Sequence, residues 1–110
     1  MPIWNIVFFP PKGDRNAPTD KLREICNAKE QAHFREKLGL LRELEYKDWD
    51  FSWLKQVTGF YQFRHGNFRG YFKLDGKTIV VLHFCRKVQD EATEEDLRVA
   101  SNNWARYEKG

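Results

Sequence analysis

The sequence predicts an α+β fold, a mostly antiparallel sheet of four strands with helices on one face. Three observations predict it. Three β-branched and aromatic runs follow one another between residues 60 and 86, separated only by short glycine-containing turns. A similar run opens the chain at residues 3–9. Apolar residues at helical spacing occupy the stretches on either side of the three-strand block. With 110 residues, the chain is expected to be a single domain over 1–110.

Each element has a local reason. Ile3 to Phe9 is a strand that Pro10-Pro11 ends, and Lys12 to Pro18 is a loop rich in turn formers. Thr19 or Asp20 can cap a helix built on Leu22, Ile25 and Cys26. Phe34, Leu38, Leu41 and Leu44 continue as one face of a helix, and Asn27 is the expected break between the two. Residues 47–58 read as irregular, with Trp49, Phe51 and Trp53 pinned onto the core. Phe60–Arg64, Phe68–Leu74 and Thr78–Arg86 are strands joined by turns at Gly66-Asn67 and Asp75-Gly76. Thr93 is a helix cap with an acid at the third helical position, and Leu97, Ala100, Trp104 and Tyr107 share the face behind it.

Composition narrows the class. The chain is 41% hydrophobic and 32% charged, which excludes disordered and fibrous proteins. Its longest Ile/Leu/Val/Met/Phe runs are Ile6–Phe9 and Ile79–Leu82, where a membrane span needs about 20 apolar residues. With no basic, apolar leader at the start, the expectation is a cytoplasmic protein with no membrane partner. Cys26 and Cys85 have no ligand spacing and read as reduced thiols. Phosphate-loop, dinucleotide and zinc-protease motifs are missing, so no cofactor and no metal are expected.

Net charge is +3, but residues 59–88 alone carry +5 and residues 89–110 carry −3. Such clustering suits phosphate or an acidic protein segment, though an exposed strand face is also often basic for solubility alone. The two turns set an expected register. His65 opposes Phe68 and Arg64 opposes Arg69; Leu74 opposes Lys77, Tyr71 opposes Val80 and Arg69 opposes Leu82. Tyr61, Phe63, Phe68, Phe72, Ile79, Val81, His83 and Cys85 then face the core. Gln62, Arg64, Arg69, Tyr71, Lys73, Val80, Leu82, Phe84 and Arg86 face the other way.

Three arginines from three strands thus meet on one surface beside Tyr71. Directly opposed Arg64 and Arg69 cost stability unless an anion lies between them. His83 reads as a satisfied core histidine. His65 is either an exposed turn residue or a proton carrier near the arginines.

The ordered set resembles the RelE/ParE toxin superfamily of type II toxin–antitoxin systems, nearest its HigB-like, phage-related branch. Phe60-Tyr61-Gln62-Phe63-Arg64 is similar to that branch's apolar-Tyr-Glu-apolar-Arg strand, with Gln62 in place of the acid. Gly66 to Tyr71 is similar to its aromatic-Arg strand. Ile79 to Lys87 is similar to its apolar strand ending in Phe-x-Lys-Lys, with Arg86 in place of the first lysine. Phe51 to Lys55 before these strands and Asp96 to Ala100 after them also fit.

The resemblance implies a RelE-like fold, with two N-terminal helices and a C-terminal helix on a four-stranded sheet. It implies a toxin held by a cognate antitoxin. RelE and HigB relatives cut mRNA on the ribosome, and ParE relatives inhibit DNA gyrase. A ribosome-dependent endoribonuclease is the expected function. A gyrase-inhibiting toxin and a non-catalytic basic module for an acidic partner are the alternatives. Cleavage would use Arg64, Arg69 and Arg86 for charge neutralisation, Lys87 for a proton or phosphate contact, and Tyr71 for stacking or proton relay. Lys73 and His65 would join Arg64 and Arg69 in holding RNA. The antitoxin would cover the apolar strip Val80, Leu82 and Phe84, the more direct inhibition, or else hold the helices so that the ribosome is sterically excluded.

Overall fold

The computed structural model describes residues 3–86 and 94–110. The class is α+β. The order is β1 (Asn5–Phe8), α1 (Pro18–Ile25), α2 (Ala28–Arg42), β2 (Leu54–Val57), β3 (Phe60–His65), β4 (Phe68–Asp75), β5 (Thr78–Arg86) and α3 (Glu94–Lys109). A five-stranded sheet runs β1-β5-β4-β3-β2, with β1 parallel to β5 and the other pairs antiparallel.

The strand beyond the expected four is β2, within the stretch read as irregular. Its hairpin to β3 turns through Thr58 and Gly59, both at positive φ (48° and 82°). A β-branched residue rarely adopts that conformation, so the sequence carries no hairpin signature there. Trp49, Phe51 and Trp53 do pack on the core.

Caps fix the helical hairpin. Pro18 opens α1 at its first turn, where a missing N–H costs nothing. The cap position is therefore Ala17, and Thr19 and Asp20 lie inside the helix. The Asp20 carboxylate instead accepts from the Gly13 N–H at 2.8 Å. Asn27 breaks the two helices as expected, and closes a capping box with Glu30. At the far end of α2, the Trp49 indole donates to Leu41 O and Leu44 O, and the Trp4 indole to Leu44 O. These bonds pin the last turn of α2 and the residues just after it to the two tryptophans. The Thr93 cap lies outside the described residues.

The expected Gly66-Asn67 turn forms, with His65 opposite Phe68 and Arg64 opposite Arg69. The second turn differs. Asp75 pairs with Thr78, so the loop is Gly76-Lys77, with Gly76 at φ 57° in the first central position. This moves the partners by two residues and keeps the faces.

A bulge then changes the faces. Phe72 pairs with Val81 but Tyr71 pairs with His83, leaving Leu82 as the extra residue. Beyond it every side chain of β5 is turned over relative to the expected alternation. Phe84 enters the aromatic core with Phe34, Phe63 and Phe68 beneath α1 and α2. His83 and Cys85 turn to the opposite face.

That opposite face is not open. Helix α3 covers it, packing Leu97, Ala100 and Trp104 on Phe60, Tyr71, Val80, Leu82 and Cys85. The helices therefore lie on both faces of the sheet rather than one. Helix α3 uses the apolar face expected of it, but against the surface expected to be basic and free. Its buried Asn103 donates to Leu82 O at 2.9 Å and Asn16 O at 3.2 Å, tying the helix to the bulge and to the loop before α1. No helix among the described residues is long and apolar enough to cross a membrane.

Candidate nucleic-acid interface

Rows across the sheet organise the basic residues. At the end carrying the β3–β4 turn, His65, Phe68 and Arg86 form one row, and Arg64, Arg69 and Cys85 the next. Successive rows face opposite sides. Arg64 and Arg69 therefore face the α3 side, while Arg86 faces the helical hairpin. The three arginines meet at one end of the sheet but not on one face, because the bulge turns Arg86 over.

Each has definite surroundings. Arg69 is 3% exposed and donates to Gly66 O at 2.6 Å and Phe68 O at 3.0 Å, so it braces the turn. Arg86 donates to Ile25 O at 2.8 Å and Asn67 Oδ1 at 2.6 Å, and pairs with Glu30. It thus joins the end of α1, the start of α2 and the β3–β4 turn. The pair moves both groups: Arg86 and the Asn27 backbone N–H hold the Glu30 carboxyl below its usual range, and Glu30 raises Arg86. Burial pushes the neighbouring Cys26 thiol up. Arg64 is half-buried.

On the hairpin side, His65 stacks on His33 with ring centroids 5.0 Å apart. Both rings are half-buried. The sequence suggested no role for His33, because 32 positions and a helix-to-strand change separate it from His65. Its place beside Phe34, a core residue of the same helix, is the signal that sets it at the edge of the hairpin.

Two expected site residues lie elsewhere. Tyr71 is 0% exposed, sealed between the sheet and α3. Its hydroxyl accepts from Gln62 Nε2 at 3.0 Å and bonds the Cys85 thiol, and burial pushes it up to about 12. It stays protonated and offers no ring to a base. Lys73 sits over the Phe60 and Trp104 rings, 5.0 and 5.1 Å from their centroids, where it helps seat α3. The strip Val80, Leu82 and Phe84 is fully buried, the first two by α3 and the third in the aromatic core, so it is not an open docking surface. Lys87 lies outside the described residues.

A cleft of about 510 Å³ opens between α1, the end of β5 and α3. Arg86 lines it, with His83, Cys85 and Asp96. His83 is a buried, satisfied histidine as expected, but on the other face: the bulge brings it to this cleft, with Nε2 2.9 Å from the Asp96 carboxylate. No protein-family model matches the chain, and no curated protein matches it.

Proposed function

We propose that this chain is the toxin of a type II toxin–antitoxin system, with a RelE-like fold, and that it cuts mRNA on the ribosome. The observation that carries the reading is the His33–His65 pair, with Arg86 in the row of His65 and Arg64 one row on, at the same end of the sheet. Cleavage of RNA by its own 2′-hydroxyl forms a bond from the 2′-oxygen to phosphorus and breaks the one to the 5′-oxygen. One imidazole takes the proton of the attacking hydroxyl, and a second supplies the proton that the leaving oxygen needs. Two half-buried imidazoles in contact suit that exchange. Arg86, on the same side as the pair, suits the charge that grows on the phosphate, and Arg64 reaches the same end of the sheet from the other face. In-line alignment of the RNA is left to the ribosome. Tyr71, buried, has no part in it, and Arg69 acts through the turn that it braces. A cognate antitoxin is the partner this function requires.

The test is expression of the chain alone, followed by measurement of protein synthesis and mapping of mRNA ends. Wild type should stop translation and leave cut messages. His65→Ala should lower cleavage by about 100-fold or more, and Arg64→Ala by about 100- to 1,000-fold. Arrest that survives both substitutions would remove this chemistry. Lost supercoiling with translation intact would point instead to gyrase.

A further inference from the structure

We propose that His83, Cys85 and Asp96 bind one zinc ion in the cleft between α1 and α3. The site goes beyond the RNA reading and shares no residue with the His33–His65 pair. Its origin is the bulge at Leu82. His83 and Cys85 are two apart on β5, so they share a face, and the extra residue makes that face the one under α3. Asp96, in the first turn of α3, reaches the same point from the helix. One donor atom from each residue lies within 4.8 Å of the other two. Imidazole, thiolate and carboxylate bind zinc at about 2.0–2.3 Å, so the widest gap need close by only about 1 Å to reach a tetrahedral arrangement.

The donor set selects the metal. A thiolate disfavours magnesium and calcium, which take oxygen ligands, and an imidazole with a carboxylate suits zinc. Three protein ligands leave a fourth position, which opens on the 510 Å³ cleft and suits water. The surroundings fit as well. Tyr71 bonds the Cys85 side chain, and Gln62 in turn bonds Tyr71, so the sulfur is held by an outer layer of polar groups. Bound there, zinc would clip the first turn of α3 to the end of β5.

The experiment titrates the purified full chain with Zn²⁺ against a chromophoric chelator, and separately with Co²⁺ as a spectroscopic probe. The expected result is one tight equivalent, a thiolate-to-cobalt absorption band, and a rise in melting temperature with metal. Cys85→Ser should abolish the band, and Asp96→Asn should weaken zinc binding about 100-fold or more, beyond what losing an outer-layer partner costs. His33→Ala and Cys26→Ser should leave stoichiometry and band unchanged. Circular dichroism checks each fold; if Cys85→Ser fails to fold, the wild-type band and Asp96→Asn decide. Wild type without a thiolate band, binding unmoved by Asp96→Asn, or binding lost in His33→Ala would each overturn the proposal. The RNA reading fails or stands on translation arrest and is untouched by any of these results.

Discussion

Replacing Gly70 by alanine tests the packing that sets the sheet against the helical hairpin. Gly70 lies between Phe63 on β3 and Phe84 on β5. A methyl group built there meets the Phe84 ring at 2.8 and 3.0 Å. That ring has nowhere to go. It is 0% exposed, stacks on Phe68 at 5.5 Å and abuts Phe34 edge-on at 4.9 Å. Overpacking of this kind costs about 1–3 kcal/mol. Alanine recovers about 0.5–1 kcal/mol of the backbone entropy that glycine gives up in a strand. The net loss should be about 1–2 kcal/mol, a drop in melting temperature of about 5–15 °C for a chain this size. Urea unfolding of Gly70→Ala, Phe84→Leu and the double variant measures it. The smaller leucine side chain should relieve the methyl, giving a favourable coupling of about 1 kcal/mol or more. A Gly70→Ala protein as stable as wild type, or simple additivity in the double variant, would refute the contact as the cause.

Four more outcomes follow from contacts already described. Asn103→Ala strips donors from Leu82 O and Asn16 O and should cost about 1–3 kcal/mol, with hydrogen exchange rising first along α3. Thr58→Asn should stabilise by about 1 kcal/mol, because a β-branched residue at φ 48° is replaced by one that tolerates it; a loss in thermal unfolding contradicts this. Glu30 titrates below its ordinary 4.5 in the folded chain, so its contribution is complete above that value and is lost as pH falls through the lowered one. Glu30→Gln should therefore flatten the acid limb of a stability–pH curve. Tyr71, pushed up to about 12, stabilises the fold fully below pH 10, and that stability is lost as pH rises towards 12. Phenolate absorbance should show a late step that Tyr71→Phe removes.

Local chemistry was legible in the sequence where one residue decides the backbone. Gly66-Asn67 fixed its hairpin and the Arg64–Arg69 pairing, and Asn27 marked the helix break. The β2 hairpin was hidden because Thr58 occupies a position that asparagine or glycine normally announces. The bulge was hidden for a deeper reason. Ile79 to Leu82 is apolar on both faces, since each face is covered, so alternation carries no information about where one residue is skipped. That single skip separated Arg86 from Arg64 and Arg69, and moved His83 to the face under α3, where it stays buried and bonded to Asp96. The cover itself was half legible: Leu97, Ala100 and Trp104 announced an apolar helix face, but not which side of the sheet it would take. His33 and His65 come together only through tertiary packing, which no local pattern reports.

The parallel pairing of β1 with β5 sets an order in time. Strands β2 to β5 form a meander whose partners are neighbours in sequence, and each hairpin can close as soon as its second strand exists. Strand β1 is made first and paired late, since Asn5 meets Thr78 across more than seventy intervening positions. A chain emerging from synthesis therefore carries an unpaired apolar strand while most of the domain is made. Its edge is satisfied only when β5 arrives, and the wait is the interval in which the young chain is most open to pairing with the wrong strand.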